Sequence, residues 1–210
     1  KNLARRERVF GYSGDVSDKK VAEEFVSAVK DKFGTLDALI NNVGTNIRKK
    51  AEDYTDEEFD IVMKVNLESC FRFCRLFFPL LKEGKSKTGP YSSIVNISSV
   101  AGLFHIKSGI VYGMTKAAMN QLTKNLACEW AKHGILVNSI CPWYINTPLV
   151  EPVLGNPEYL AEVESRTPLA RVGEPREVSG MVAFLLLPAA QGFLTGQCLA
   201  IDGGFVNYGF

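Results

Sequence analysis

No sign of charge dominates this chain: 24 Lys and Arg stand against 23 Asp and Glu, for a formal net charge of +1. Without a basic surplus there is no electrostatic case for nucleic acid or an anionic membrane surface as partner. Long apolar runs are lacking as well. Val182 to Leu187 is one of the longest, far short of the roughly 20 residues needed to span a bilayer. Cysteine is scarce and unpatterned. The five residues (Cys70, Cys74, Cys128, Cys141, Cys198) are odd in number and contain no C-x-x-C, which argues against a disulfide framework and for a reducing compartment. Cys70 and Cys74 would share a helix face, but no His or further Cys accompanies them, so they read as small hydrophobes and no metal site is expected. Repeats and low-complexity tracts are absent. An opening Met is lacking too: Lys1-Asn2-Leu3-Ala4-Arg5-Arg6 reads as the tail of a basic helix and has no signal- or transit-peptide pattern. What remains is an ordinary globular composition, 46% hydrophobic and 22% charged over 210 residues, enough for one sizeable core.

Short apolar runs alternate with longer amphipathic ones. Arg8 to Ser13 is a strand candidate. Ser17 to Phe33 predicts a helix, capped by Ser17 and stopped at Gly34. Leu36 to Asn41 reads as a buried strand. Thr55 and Glu58 form a capping box opening a helix that runs to about Leu81. Lys82 to Tyr91 is a solvated loop, and Ser93 to Ser98 a strand. Ile110 to Lys132 is a long helix ending at Gly134, and Ile135 to Cys141 a further strand. Pro142 to Arg171 is irregular, with one short helix near Pro157 to Ser165. Pro175 starts a helix through Leu187, and Gln197 to Ile201 is the last strand. Strands alternating with helices predict an α/β fold, a Rossmann-like doubly wound parallel sheet flanked by helices on both faces.

Ligands in such folds sit beyond the carboxyl ends of the strands. The residues there are Gly14-Asp15-Val16, Asn41-Asn42-Val43-Gly44, Ser98-Ser99 and Pro142-Trp143-Tyr144-Ile145-Asn146-Thr147. Each has a plain alternative: Asp15 as a capping aid, the Asn-Asn-Val-Gly run as a turn using the freedom of Gly44, the serines as strand-end hydroxyls. Tyr112 and Lys116, four apart near the start of the long helix, share a face. A nearby positive charge favours a phenolate and lowers the phenol pKa, which suits proton donation to a developing alkoxide, although surface pairs of this spacing are common. Ser99 lies one loop upstream and could donate to the same oxygen. Asn66 sits inside an otherwise apolar helix, where an Asn is a poor helix former. It is either a satisfied amide or the mark of a helix distortion that frees a carbonyl to hold a water.

Together these residues resemble the short-chain dehydrogenase/reductase family over nearly the whole chain. Asn41-Asn42-Val43-Gly44 is similar to the family's N-N-A-G turn, and Asn66, Ser99, Tyr112 and Lys116 match its catalytic tetrad. Asn125 to Trp130, Pro142 to Ile145 and Pro168 to Pro175 resemble its plant tropinone-reductase-like branch, as does the closing Ile201-Asp202-Gly203-Gly204. The resemblance implies reduction of a small carbonyl compound, such as a tropinone-like ketone, with NADP(H) more than NAD(H). Ser99 and Tyr112 would bind the carbonyl oxygen, Tyr112 would donate the proton, Lys116 would lower its pKa and hold the nicotinamide ribose, and Asn66 would join the lysine to solvent. Asp15, Val16, Asn42, Val43, Gly44, Pro142, Ile145 and Thr147 would complete the cofactor site. Trp143 to Arg171 would be a substrate lid, with Tyr144, Leu149 and Val150 as pocket walls or as plain packing residues. A small-molecule substrate, a homodimer or homotetramer, no nucleic acid, no membrane and a cytoplasmic location are further expectations, a targeting segment upstream of Lys1 being a possibility left open.

The chain departs from the family at Val43, where Ala is usual, and at Trp143, where Gly is usual. A larger departure is the lack of the Gly-rich turn T-G-x-x-x-G-x-G with its flanking strands and helix. That turn aims backbone N–H groups at a pyrophosphate. The 210 residues are therefore expected to be one N-terminally shortened domain, whose first strand has no neighbour and whose faces expose apolar side chains. An inactive family member acting as an oligomerisation or interaction partner is the alternative.

Overall fold

Several helices of this protein start where a side chain accepts the free N–H groups of the first turn. The computed structural model describes residues 9–84, 90–107, 109–187 and 192–208; Lys1 to Arg8 and residues 85–89 of the expected Lys82 to Tyr91 loop lie outside them. Helix α1 (Lys19–Phe33) is capped by Asp18, whose carboxylate accepts from Lys20 N and Val21 N, and it ends at Gly34 with φ 77°. The expected cap, Ser17, instead turns its amide and hydroxyl to Asp15 Oδ1, both at 2.8 Å. The cap thus falls one residue later, on the stronger acceptor.

Thr55 and Glu58 form the expected capping box on α2 (Asp56–Met63). A π-helical turn, Lys64–Glu68, follows and leads into α3 (Ser69–Glu83). The lysine-rich loop therefore starts two residues later than its composition suggested. Helix α4 (Ile110–Trp130) closes through a short 3-10 turn on Gly134, at φ 75°. A four-residue α5 (Glu151–Leu154), which carries no apolar period, precedes the expected α6 (Pro157–Ser165), and α7 (Pro175–Leu186) starts on its proline.

Four strands are described: β1 (Ala38–Asn41), β2 (Ser92–Ile97), β3 (Ile135–Pro142) and β4 (Cys198–Ile201). All pair in parallel in the order β1-β2-β3-β4. On one face Val29 of α1, Cys74 and Phe77 of α3 and Met119 of α4 pack on Ile94 and Val137. On the other, Leu185 and Val182 of α7 pack on Val95 and Ile140. Helices on both faces make this a doubly wound α/β fold. All five cysteines are free, and Cys70 and Cys74 are core residues, as their apolar setting predicts.

The expected strand at Arg8 to Ser13 does not form over residues 9–13. Its aromatic side chains pack on α1 instead, with Tyr12 5.4 Å from Phe25 and Phe10 6.5 Å from Phe33 between ring centroids. A strand needs a ladder partner to satisfy its backbone, and β1 is the edge of the sheet. The expected apolar exposure is present there: Ile40 is 40% and Val43 55% exposed.

Candidate active site

The carboxyl ends of β1, β2 and β3 open into one cleft of about 380 Å³. Asn42 and Gly44 come to it from the turn after β1, Ser99 from the end of β2, and Pro142 from β3. Tyr112 and Lys116 enter from the first turns of α4, and Ile145, Thr147, Leu149 and Val150 from the segment after β3. Most of the residues expected from sequence thus meet in one place. Tyr144 lines a side pocket with Ser99 and Tyr112. Val16, Asn42 and Val43 line a second groove, beside the edge of β1. Asp15 is exposed and lines neither, its carboxylate held by Ser17.

Asn66 stands behind the cleft, fully buried in the π-helical turn. Its Oδ1 accepts from Thr45 N at 2.7 Å, and its Nδ2 donates to Thr45 O at 2.9 Å and to Thr115 Oγ1 at 3.1 Å. One amide therefore fastens the Asn-Asn-Val-Gly turn to two helices. The distortion expected at Asn66 is present, and such π-turns recur at functional sites. A second amide relay, not anticipated from sequence, runs beneath it: Asn41 Nδ2 donates to Asn96 Oδ1 at 2.8 Å, and Asn96 Nδ2 to Thr123 Oγ1 at 2.9 Å. A polar residue inside the β-branched run of β2 is the only signal that could have found it.

Ser99 and Tyr112 line the same side pocket, with the Ser99 hydroxyl donating to Pro142 O at 3.4 Å. Lys116 is 3% exposed, donates from Nζ to Ile97 O at 2.8 Å, and sits 5.5 Å from the Tyr112 ring centroid. Burial pushes the phenol above its usual range, opposed by the Ser99 hydroxyl and the charge of Arg48. The expected lowering by Lys116 is not among the influences on the phenol; burial holds the lysine itself down, to about 8.

That shift has a consequence for stability. An amine that ionises near 10.4 when unfolded and near 8 when folded takes up protons on unfolding between those values. Stability therefore rises with pH across that window, and below it the buried ammonium costs about 3 kcal/mol. Lys116→Met is expected to raise unfolding stability at pH 7 by on the order of 1–3 kcal/mol, with the gain shrinking as pH approaches 10. Urea unfolding at the two pH values checks it; an unchanged or lower midpoint at pH 7 contradicts it.

Beyond the cleft, Trp143 stacks on Phe205 at 3.8 Å and donates from Nε1 to Thr167 at 3.0 Å, while the Tyr144 and Tyr159 hydroxyls meet at 2.6 Å. These ties fix the segment after β3 and explain why a bulky Trp is accommodated. Among the described residues no cluster of His, Cys, Asp and Glu could hold a metal ion.

Comparison with known proteins gives the family and the fold. Residues 1–206 match the family described as Enoyl-(Acyl carrier protein) reductase. Tropinone reductase homolog At2g29260, chloroplastic, of Arabidopsis thaliana is 52% identical over 204 residues, covering 97% of this chain and 62% of the relative. Tropinone reductase homolog At5g06060 of the same plant is 51% identical, covering 94% of this chain and 74% of its own length. The chain thus spans between three fifths and three quarters of these relatives. Among solved structures, a gluconate 5-dehydrogenase from Burkholderia cenocepacia in complex with NADP and tartrate superimposes with a TM-score of 0.87 at 27% identity, over 98% of this chain and 80% of that one.

Proposed function

The chain belongs to the short-chain dehydrogenase/reductase family, and on that premise we propose that it reduces a small carbonyl compound, a ketone of tropinone-like size, to its alcohol with NADP(H) in preference to NAD(H). The observation that carries this is the meeting of Ser99, Tyr112 and Lys116 in one cleft. Two hydroxyls backed by a buried ammonium suit the oxygen of a carbonyl on its way to an alkoxide. The preference for NADP(H) is supported by the NADP held in the similar dehydrogenase.

The donor set of the cleft fits the nicotinamide end of such a cofactor. A Cβ on Gly44 would stand 3.4 Å from Asn66 Oδ1 and 3.6 Å from Lys116 Nζ, so its absence keeps the space over the ammonium open. Gly44, Tyr112, Lys116, Pro142, Ile145 and Thr147 would hold that end, and Asp15, Val16, Asn42 and Val43 the adenosine side. The phosphates fit less well, since no Lys or Arg lines the groove beside β1. When bound, the nicotinamide supplies the hydride.

The chain's own residues do the rest. Ser99 and Tyr112 bind the carbonyl oxygen, and Tyr112, kept protonated by its burial, gives up its proton there. Lys116 steadies the phenolate left behind, and Asn66 holds the turn and helix that position both. In the oxidising direction Tyr112 takes the proton back as base. Residues 143–171 act as a lid over a single domain of 210 residues, with Tyr144, Leu149 and Val150 as walls that exclude water. Exposed Phe71 on α3 and Ile110 and Met114 on α4 support a homodimer or homotetramer. A cytoplasmic location is part of the proposal; no helix among the described residues is long and apolar enough to cross a membrane.

The test is loss of NADPH absorbance on adding a panel of small ketones, with cofactor at about 1 mM, so that weak binding does not mask chemistry. Carbonyl-dependent turnover is expected. Its absence across the panel would favour the second reading, a non-catalytic member acting through its exposed helices, for which the bare edge of β1 speaks.

A further inference from the structure

Resting on the carbonyl-reductase reading, we infer that the substrate carries a carboxylate, which Arg48 receives in the side pocket next to Ser99 and Tyr112. Arg48 follows the Asn-Asn-Val-Gly turn in a run of three cations, Arg48-Lys49-Lys50. The other two are accounted for: Lys49 pairs with Glu58, and Lys50 is exposed. Arg48 is half-buried and lines the pocket formed by Ser99, Tyr112, Trp143 and Tyr144. Its Nε is buried with no hydrogen-bond partner, and it forms no ion pair among the described residues.

A guanidinium nitrogen left unpartnered in a buried position costs free energy unless something arrives to meet it. No Asp or Glu lines either the cleft or the side pocket. The two cations facing that space are Arg48 and Lys116, so a protonated amine would be repelled there. The planar fork of an arginine matches a carboxylate, which can accept two parallel hydrogen bonds.

The backbone carrying Arg48 is fixed on both sides. Asn66 clamps Thr45, and the Tyr54 hydroxyl donates to Ile47 O. Gly109, at φ +100°, lies so close that a Cβ would come 2.7 Å from Ile47 O. Any side chain there would push the loop, and Arg48 with it, away from the pocket. Tropinone itself carries a basic amine; the inference keeps its size and ketone and exchanges the cation for an anion. The substrate class is thus an oxo acid.

The experiment compares 4-oxo-4-phenylbutanoate and benzoylformate with their methyl esters, and with tropinone. Binding to the 210-residue chain is measured by calorimetry or ligand-observed NMR without cofactor. At least one acid is expected to bind roughly 10- to 100-fold tighter than its ester, as befits a hydrogen bond to a charged group. Arg48→Met should bring acid and ester within about threefold of each other, and Arg48→Lys should keep part of the preference, since its point charge lacks the fork. Tyr112→Phe should leave the preference in place. Retained ester binding and an unchanged circular dichroism spectrum show that the variants are folded. Equal binding of acid and ester, tighter binding of tropinone, or no saturable acid binding up to about 20 mM overturns the inference, as does a preference that survives Arg48→Met. Acid binding through Arg48 in a chain that turns over no carbonyl leaves this inference standing and defeats the reductase reading. Reduction of esters and acids with equal efficiency does the reverse.

Discussion

Titrated into the 210-residue chain, NADPH is expected to bind with a dissociation constant of roughly 0.1–1 mM or weaker. The nicotinamide end has its donors in the cleft, but the pyrophosphate has none of the backbone N–H groups that a Gly-rich turn and a helix N-terminus supply in doubly wound folds. No T-G-x-x-x-G-x-G occurs in the 210 residues. The groove beside β1, where the rest of a dinucleotide would run, is lined by Tyr12, Val16, Phe25, Ile40 and Val43, among others, without a cation. Hydrogen bonds to a charged group contribute about 1.5–3 kcal/mol each. Losing two therefore weakens binding by roughly 10²- to 10⁴-fold. Quenching of protein fluorescence or enhancement of cofactor fluorescence reads the constant directly. A value of about 1 µM or tighter would show that the apolar groove recruits phosphate by a route the present geometry does not provide.

The sheet and its helices were legible because their signals are local. The β-branched run of β2 and the Pro175 start of α7 need no knowledge of the rest of the chain, and Thr55 with Glu58 marks its own helix start. Strand candidacy at Arg8 to Ser13 failed for a reason no local pattern contains: a strand exists only where another strand can pair with it. Ser17 and Asp18 are both capping residues, and which one caps was settled by Asp15 occupying Ser17. The cleft residues were legible as a set, since a shared position beyond the strand ends follows from topology. Arg48 was not, because nothing in Arg48-Lys49-Lys50 separates the cation that turns inward from the two that do not. The charge state of the Tyr112–Lys116 pair was misjudged from spacing alone. Four residues of separation places an ammonium beside a phenol, but only burial reveals that both groups are pushed toward their neutral forms.

Tyr112→Phe is expected to lower the rate of carbonyl reduction by roughly 10²- to 10⁴-fold, the range for loss of a positioned general acid. The ring stays, so packing against the cleft wall is preserved, and NADPH binding should change by less than about threefold, within the tolerance of a near-isosteric swap. The pH profile separates this role from a structural one. In the unsubstituted chain the phenol, raised by burial, remains protonated through neutral pH, so its own ionisation does not shape the reductive limb. Lys116 does, because it loses its proton near pH 8. Above that value the positive charge that would steady the nascent phenolate is gone, and reduction should decline. The oxidising direction, which needs the phenol deprotonated, should instead gain as pH climbs. In Tyr112→Phe there is no phenolate to steady, so the residual rate should be flat across pH 8. Steady-state rates over pH 6 to 10 for both chains decide the matter. A variant retaining more than about a tenth of the rate, or one whose residual activity still falls through pH 8, removes Tyr112 from the role of proton donor.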